Sequence, residues 1–123
     1  MNVILPEPLV PERASVTFRV EVSAAMNTTA YTARRRVNHF VMMTVGNMLH
    51  AGGPELLIGP RMKWRVPILY SLPGVGLMGK VGEALVDVDT GDVAFDELTT
   101  AESVERHVEA LYRSSPIAAG EAV

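Results

Sequence analysis

The sequence contains no cysteine. Disulfide staples, zinc–thiolate sites and thiol nucleophiles are therefore excluded. A large excess of positive or negative charge is also missing. The net charge is −3, so bulk electrostatics favour neither nucleic acid nor an anionic membrane surface. No apolar run approaches the roughly 18 residues of a membrane span. The opening "MNVILPEPLVPE" has neither the basic stretch nor the long apolar core of a secretory signal. A cytoplasmic location is the expectation, with no membrane partner.

What is present fits one globular domain over residues 1–123. Apolar residues make up 48% and charged residues 20% of the chain, enough for a core without staples. Pro6, Pro8 and Pro11 fix φ and remove amide donors, so residues 1–13 read as an extended strap. From Ser114 to Val123 the chain turns small and polar, which predicts a disordered tail.

Between these ends the periodicities alternate. In "SVTFRVEVS", Val16, Phe18, Val20 and Val22 alternate with polar residues, which predicts a half-buried strand. Asn27, Thr28 and Thr29 offer an N-cap. From Ala30 to His50, Ala33, Val37, Phe40, Val41, Thr44, Val45 and Met48 recur at helical spacing. Gly52 and Gly53 close that helix in this reading. A strand follows with Met62, Trp64, Val66, Ile68 and Tyr70 on one face and Arg61, Lys63 and Arg65 on the other. "KVGEALVDVD" is a second strand, with Ala84, Val86 and Val88 opposite Glu83, Asp87 and Asp89. Thr90-Gly91 signals a turn into a short strand, "DVAF". Thr99 with Glu102 makes a capping box for a last helix that turns Ala101, Val104, Val108 and Leu111 inward. The predicted class is α+β: an antiparallel sheet of about four strands, packed by one long helix, with a second helix at the C-terminus.

Between the two main strands lies "SLPGVGLMGKVG", with Gly74, Gly76, Gly79 and Lys80 in a G-x-G-x-x-G-K arrangement. Dinucleotide sites use such glycines immediately before a helix whose N-terminus holds the pyrophosphate. Strand alternation follows here instead, and Lys80 precedes Val81 rather than the magnesium-binding hydroxyl of a P-loop. The stretch therefore reads as a glycine-rich hairpin turn; a ligand- or partner-contacting loop is the alternative. "VDTGD" contains the Asp-Thr-Gly of dimeric aspartic proteases, but the short remainder of the chain leaves no room for a flap. A turn is the simpler reading.

The basic strand face, with Arg61, Lys63 and Arg65, predicts a cross-strand charge ladder against Glu83, Asp87 and Asp89. An even-sum register sets Lys63 near Asp87 or Asp89, and Arg65 near Leu85 or Asp87. Arg34, Arg35 and Arg36 sit near the start of the long helix, where positive charge opposes the helix dipole. They read as a solvated face, with anion or nucleic-acid contact as the alternative. His39 and His50 would stand about 16 Å apart on a helix and cannot share a metal. No metal site and no cofactor is expected.

"EALVDVDTGDV", Glu83 to Val93, resembles the closing strand motif of PepSY-type domains. The order of helix 30–50, strand 62–70 and strand 81–89 is similar to their cystatin-like plan. The resemblance implies a non-catalytic protein that binds or restrains peptidases, and it covers about half the chain. An N-terminal strand and a C-terminal helix depart from it. With no catalytic set in view, the sequence points to a small binding or interaction module. Met42, Met43 and Leu49 fall outside the main stripe of the long helix, which predicts a self-associating surface and a homodimer. The alternatives are a nucleotide or anion binder, or an enzyme, using Gly74–Lys80, and a nucleic-acid contact through Arg34–Arg36.

Overall fold

Thr29 starts the first helix: its hydroxyl accepts from the Thr32 amide at 3.2 Å, satisfying one of the free donors of the first turn. This helix, α1, runs Ala30–Thr44 in a computed structural model that describes residues 26–46, 48–118 and 120. Six further elements follow: β1 (Leu49–Ala51), β2 (Glu55–Leu57), β3 (Lys63–Leu72), β4 (Gly76–Asp87), β5 (Val93–Phe95) and α2 (Ala101–Arg113). They form an α+β fold with an antiparallel sheet in the order β1-β3-β4-β5, and β2 pairs with β3 beside β1. The expected strand over 15–23 and the strap over 1–13 lie outside the described residues.

The first helix is shorter than its periodicity predicts. The amides of Val45 and Gly46 both donate to the Val41 carbonyl, which closes the last turn. The chain then reverses, and Leu49, His50 and Ala51 pair with Tyr70, Leu69 and Ile68. Side chains of α1 tie down the end of that strand. Asn38 Oδ1 accepts from the Ala51 amide at 2.6 Å, and Arg34 Nε donates to the Ala51 carbonyl at 3.2 Å. Pairing with a strand distant in sequence overrides a local helical pattern here. Leu49 consequently lies in the core, only 8% exposed, and not on the helix surface beside Met42 and Met43.

β3 and β4 make one long hairpin. Val66, Ile68, Tyr70 and Leu72 point inward from β3, as the alternation predicts, while Trp64 is half-buried and donates Nε1–H to the Thr28 carbonyl at 2.8 Å. The register places Lys63 opposite Asp87 and Arg65 opposite Leu85. It slips between Ile68 and Leu69, where Gly82 and Lys80 are the successive partners. Val81 is therefore unpaired and turns inward beside the even-numbered Ala84 and Val86.

Both helices cover the same face of the sheet. Ala33, Val37 and Val41 of α1 meet Val66, Ile68 and Val86, and Val104 of α2 joins the same buried cluster. Phe40 packs edge-to-face on Phe95 at 4.9 Å, fixing α1 over the β5 edge. α2 begins one residue later than expected. Thr100 is the cap and Ser103 completes the capping box, while the Thr99 hydroxyl accepts from the Glu83 amide at 3.2 Å. After α2 the chain continues in turns as far as Ala118, held by a fully buried Ser115 whose hydroxyl donates to the Tyr112 carbonyl.

Candidate functional site

Consecutive helix residues are turned by about 100° from one another, so Arg34, Arg35 and Arg36 cannot form one cluster. The structure separates them. Arg34 is drawn to the Ala51 carbonyl, Arg35 stands over the Tyr31 ring at 5.7 Å, and Arg36 reaches the Gly91 carbonyl at 3.4 Å. Two of the three meet again with other residues. An open groove of about 620 Å³ runs between α1 and the β5 edge, lined by Arg35, Arg36, His39, Phe40, Met43 and Val93. The signal for it was present in the sequence: His39 follows Arg35 by four residues, Phe40 follows Arg36 by four, and Met43 follows His39 by four. Reading "RRR" as a block concealed that spacing.

At one end of the groove lies the turn that carries Asp-Thr-Gly. Asp87 Oδ1 accepts from the amides of Asp89 at 2.9 Å and Thr90 at 3.0 Å, and its Oδ2 meets Arg61 at 2.7 Å. The Gly91 amide donates back to the Asp87 carbonyl at 2.8 Å. Asp89 Oδ1 accepts from Asn27 Nδ2 at 2.6 Å. The carboxylates of Asp87 and Asp89 are both engaged in building the turn. Asp89 and Asp92 stay exposed, which sets an acidic tip beside the basic groove.

The glycine stretch closes the β3–β4 hairpin. Gly74 and Gly76 have φ of 77° and 101°, values that residues with a Cβ rarely adopt, around the exposed tip Pro73–Val75. A strand follows, and Leu77, Gly79 and Lys80 pair with Ser71, Tyr70 and Leu69. Lys80 turns to Glu83 at 2.5 Å. Lys80→Ala is accordingly expected to leave the response to added nucleotide unchanged from wild type. A nucleotide-dependent rise in melting temperature that Lys80→Ala abolishes would show that the loop binds phosphate after all.

The charge ladder on the outer sheet face exists, with partners that differ from the register neighbours. Asp87 pairs with Arg61 instead of Lys63, and Arg65 is shared between Glu55 at 2.8 Å and Glu83 at 3.5 Å. His50 stands in β1, away from the helix that holds His39, and His107 Nδ1 lies 2.7 Å from the Ser103 carbonyl. Among the described residues no group of three histidines and carboxylates is placed to hold a metal ion. Nor, among them, is any helix long and apolar enough to cross a membrane. Comparison with protein-family models, curated proteins and solved structures finds no match to this chain.

Proposed function

We propose that the chain is a small non-catalytic binding module that pairs with a second copy of itself across the outer face of α1. The observation that carries this reading is the exposure of Met43, at 71%, on the rim of a groove walled by Phe40, with Met42, its neighbour on α1, 53% exposed. Methionine is an adaptable contact residue, and exposed apolar rims of this kind mark association surfaces. Charge favours self-pairing. Arg35 and Arg36 lie beside the acidic tip of Asp89 and Asp92, so a two-fold axis between them sets the basic half of one copy on the acidic half of the other. The resemblance to PepSY-type domains points the same way, toward binding without catalysis. A cytoplasmic location accompanies this reading.

Light scattering at micromolar concentration tests the proposal. The wild-type mass is expected to be that of a dimer, and Met43→Glu that of a monomer with unchanged helical content. A monomeric wild type, or a dimer indifferent to Met43→Glu, would overturn it. A second reading rests on Arg35, Arg36 and His39 sharing one groove, which suits an anionic partner such as nucleic acid. In that case a short oligonucleotide binds the monomer, and binding weakens steeply with salt.

A further inference from the structure

Tyr70 is 3% exposed in the middle of β3, opposite Leu49 in β1 and Gly79 in β4. Among the described residues, no fully buried side-chain nitrogen or oxygen lacks a hydrogen-bond partner. Tyr70 lines a cleft of about 360 Å³ between the end of α1 and α2. Val45 and Met48 form one wall, and Val108 and Tyr112 the other. Glu105 stands on the rim, and so does Glu109, which is engaged by Arg113. The volume lies in the range of small-molecule sites, which are mostly apolar with a few placed polar groups.

We propose that this cleft binds a small organic amine with an apolar, hydrogen-bonding ring. The ring lies between Val45, Met48 and Val108, a ring donor reaches the Tyr70 hydroxyl, and the ammonium is drawn to Glu105. A phenol at the floor of an apolar cleft offers a ligand group one donor and one acceptor in place of water. Burial, with Tyr112 nearby, raises the Tyr70 pKa, so the phenol stays neutral and keeps both its donor and its acceptor capacity. The rim carboxylate sets the sign of the preferred charge. This site is separate from the outer face of α1, and the two proposals stand or fall independently.

The probe is tryptamine, with indole-3-acetate as the same ring carrying the opposite charge. In amide NMR titrations of the full chain, tryptamine is expected to shift Val45, Gly46, Val108 and Tyr112 saturably, and indole-3-acetate much less. Tyr70→Phe keeps the ring in the core and removes only the hydroxyl. It is expected to fold with unchanged stability and to bind tryptamine about fivefold more weakly, the effect of one ordinary hydrogen bond. Met43→Glu, the variant that tests self-association, is expected to bind tryptamine as wild type does. Absence of a saturable shift at millimolar tryptamine overturns the proposal, and so does equal affinity in Tyr70→Phe. Equal binding of the two probes removes the amine preference. Shifts of the cleft amides with protein concentration alone assign the cleft to a second copy and overturn the ligand site.

Discussion

Gly82→Val is expected to destabilise the fold by about 3 kcal/mol, and Gly82→Ala by about 1 kcal/mol, through overpacking between β4 and α2. Intrinsic preference points the other way. Valine is a strong strand former and glycine a weak one, a difference of up to about 1 kcal/mol in favour of the variant. Packing decides the sign. A Cβ at residue 82 falls 2.7 Å from Thr99 Cγ2 and 3.1 Å from Val104 Cγ2. Val104 is fully buried, so it cannot retreat, and Thr99 is held through its hydroxyl to the Glu83 amide. The start of α2 must lift, and the melting temperature is expected to fall on the order of 10 °C for Gly82→Val. Gly53→Ala is the control, because a Cβ there meets no atom within 4 Å. Thr99→Ser supplies the sharper check. It deletes Cγ2 and keeps the hydroxyl, so it is expected to recover most of the loss in Gly82→Ala. Should the double variant be no more stable than Gly82→Ala, the close approach is not what glycine serves at this position.

That close approach also marks where the sequence stops being legible. β3 and the part of β4 from Lys80 on could be read directly from alternation, and the short return of β5 from the Thr90-Gly91 turn, whereas residues 76–79 read as turn and belong to β4. The inward face from Val66 to Tyr70 followed from the same regularity, and of the two partners expected for Lys63, Asp87 and Asp89, the first stands opposite it. The end of α1 could not be read. Val45 and Met48 extend the helical stripe, and only pairing with β3, some twenty residues on, shows that Leu49–Ala51 is a strand. β2 was invisible for a related reason: Glu55, Leu56 and Leu57 carry no alternation of their own and are a strand only because β3 is there. The extra residue at Val81 could not be seen either, since a register slip belongs to two strands at once. For the candidate sites the division is similar. The exposure of Met42 and Met43 followed from the helical wheel, whereas Leu49 left that surface with the shortened helix. Tyr70 was read as an inward residue, and its place at the floor of a cleft emerges only when α1, β3 and α2 are assembled.

The turn at Asp87 gives the second large effect, and it depends on pH. Asp87 is 9% exposed, yet its carboxylate accepts two backbone amides and an arginine. The Thr90 amide is the largest influence, followed by Arg61 and the Asp89 amide. Together they outweigh burial and hold the carboxyl below the usual aspartate value. A folded-state pKa below the unfolded one means that the stabilisation is fully present above the unfolded value, about 3.9. It is lost as pH falls through the lower folded value. Asp87→Ala removes the acceptor for both amides and is expected to cost about 2 kcal/mol at neutral pH. Asp87→Asn keeps an oxygen for those amides and is expected to cost about 1 kcal/mol. Arg61 is 65% exposed, so Arg61→Ala is expected to cost less than about 1 kcal/mol. Urea midpoints measured from neutral pH down to about pH 2.5 separate the charge from the turn. Wild type is expected to lose stability on acidification below about pH 4, and Asp87→Asn to lose less over the same range, by the share of one carboxylate. Parallel acid curves would mean that the Asp87 charge contributes nothing. The same turn sets the Gly91 carbonyl against Arg36 and holds Asp89 and Asp92 beside the α1 groove. Asp87→Ala is therefore expected to weaken the proposed self-association as well as the fold, whereas Asp87→Asn, with the turn intact, leaves that association unchanged.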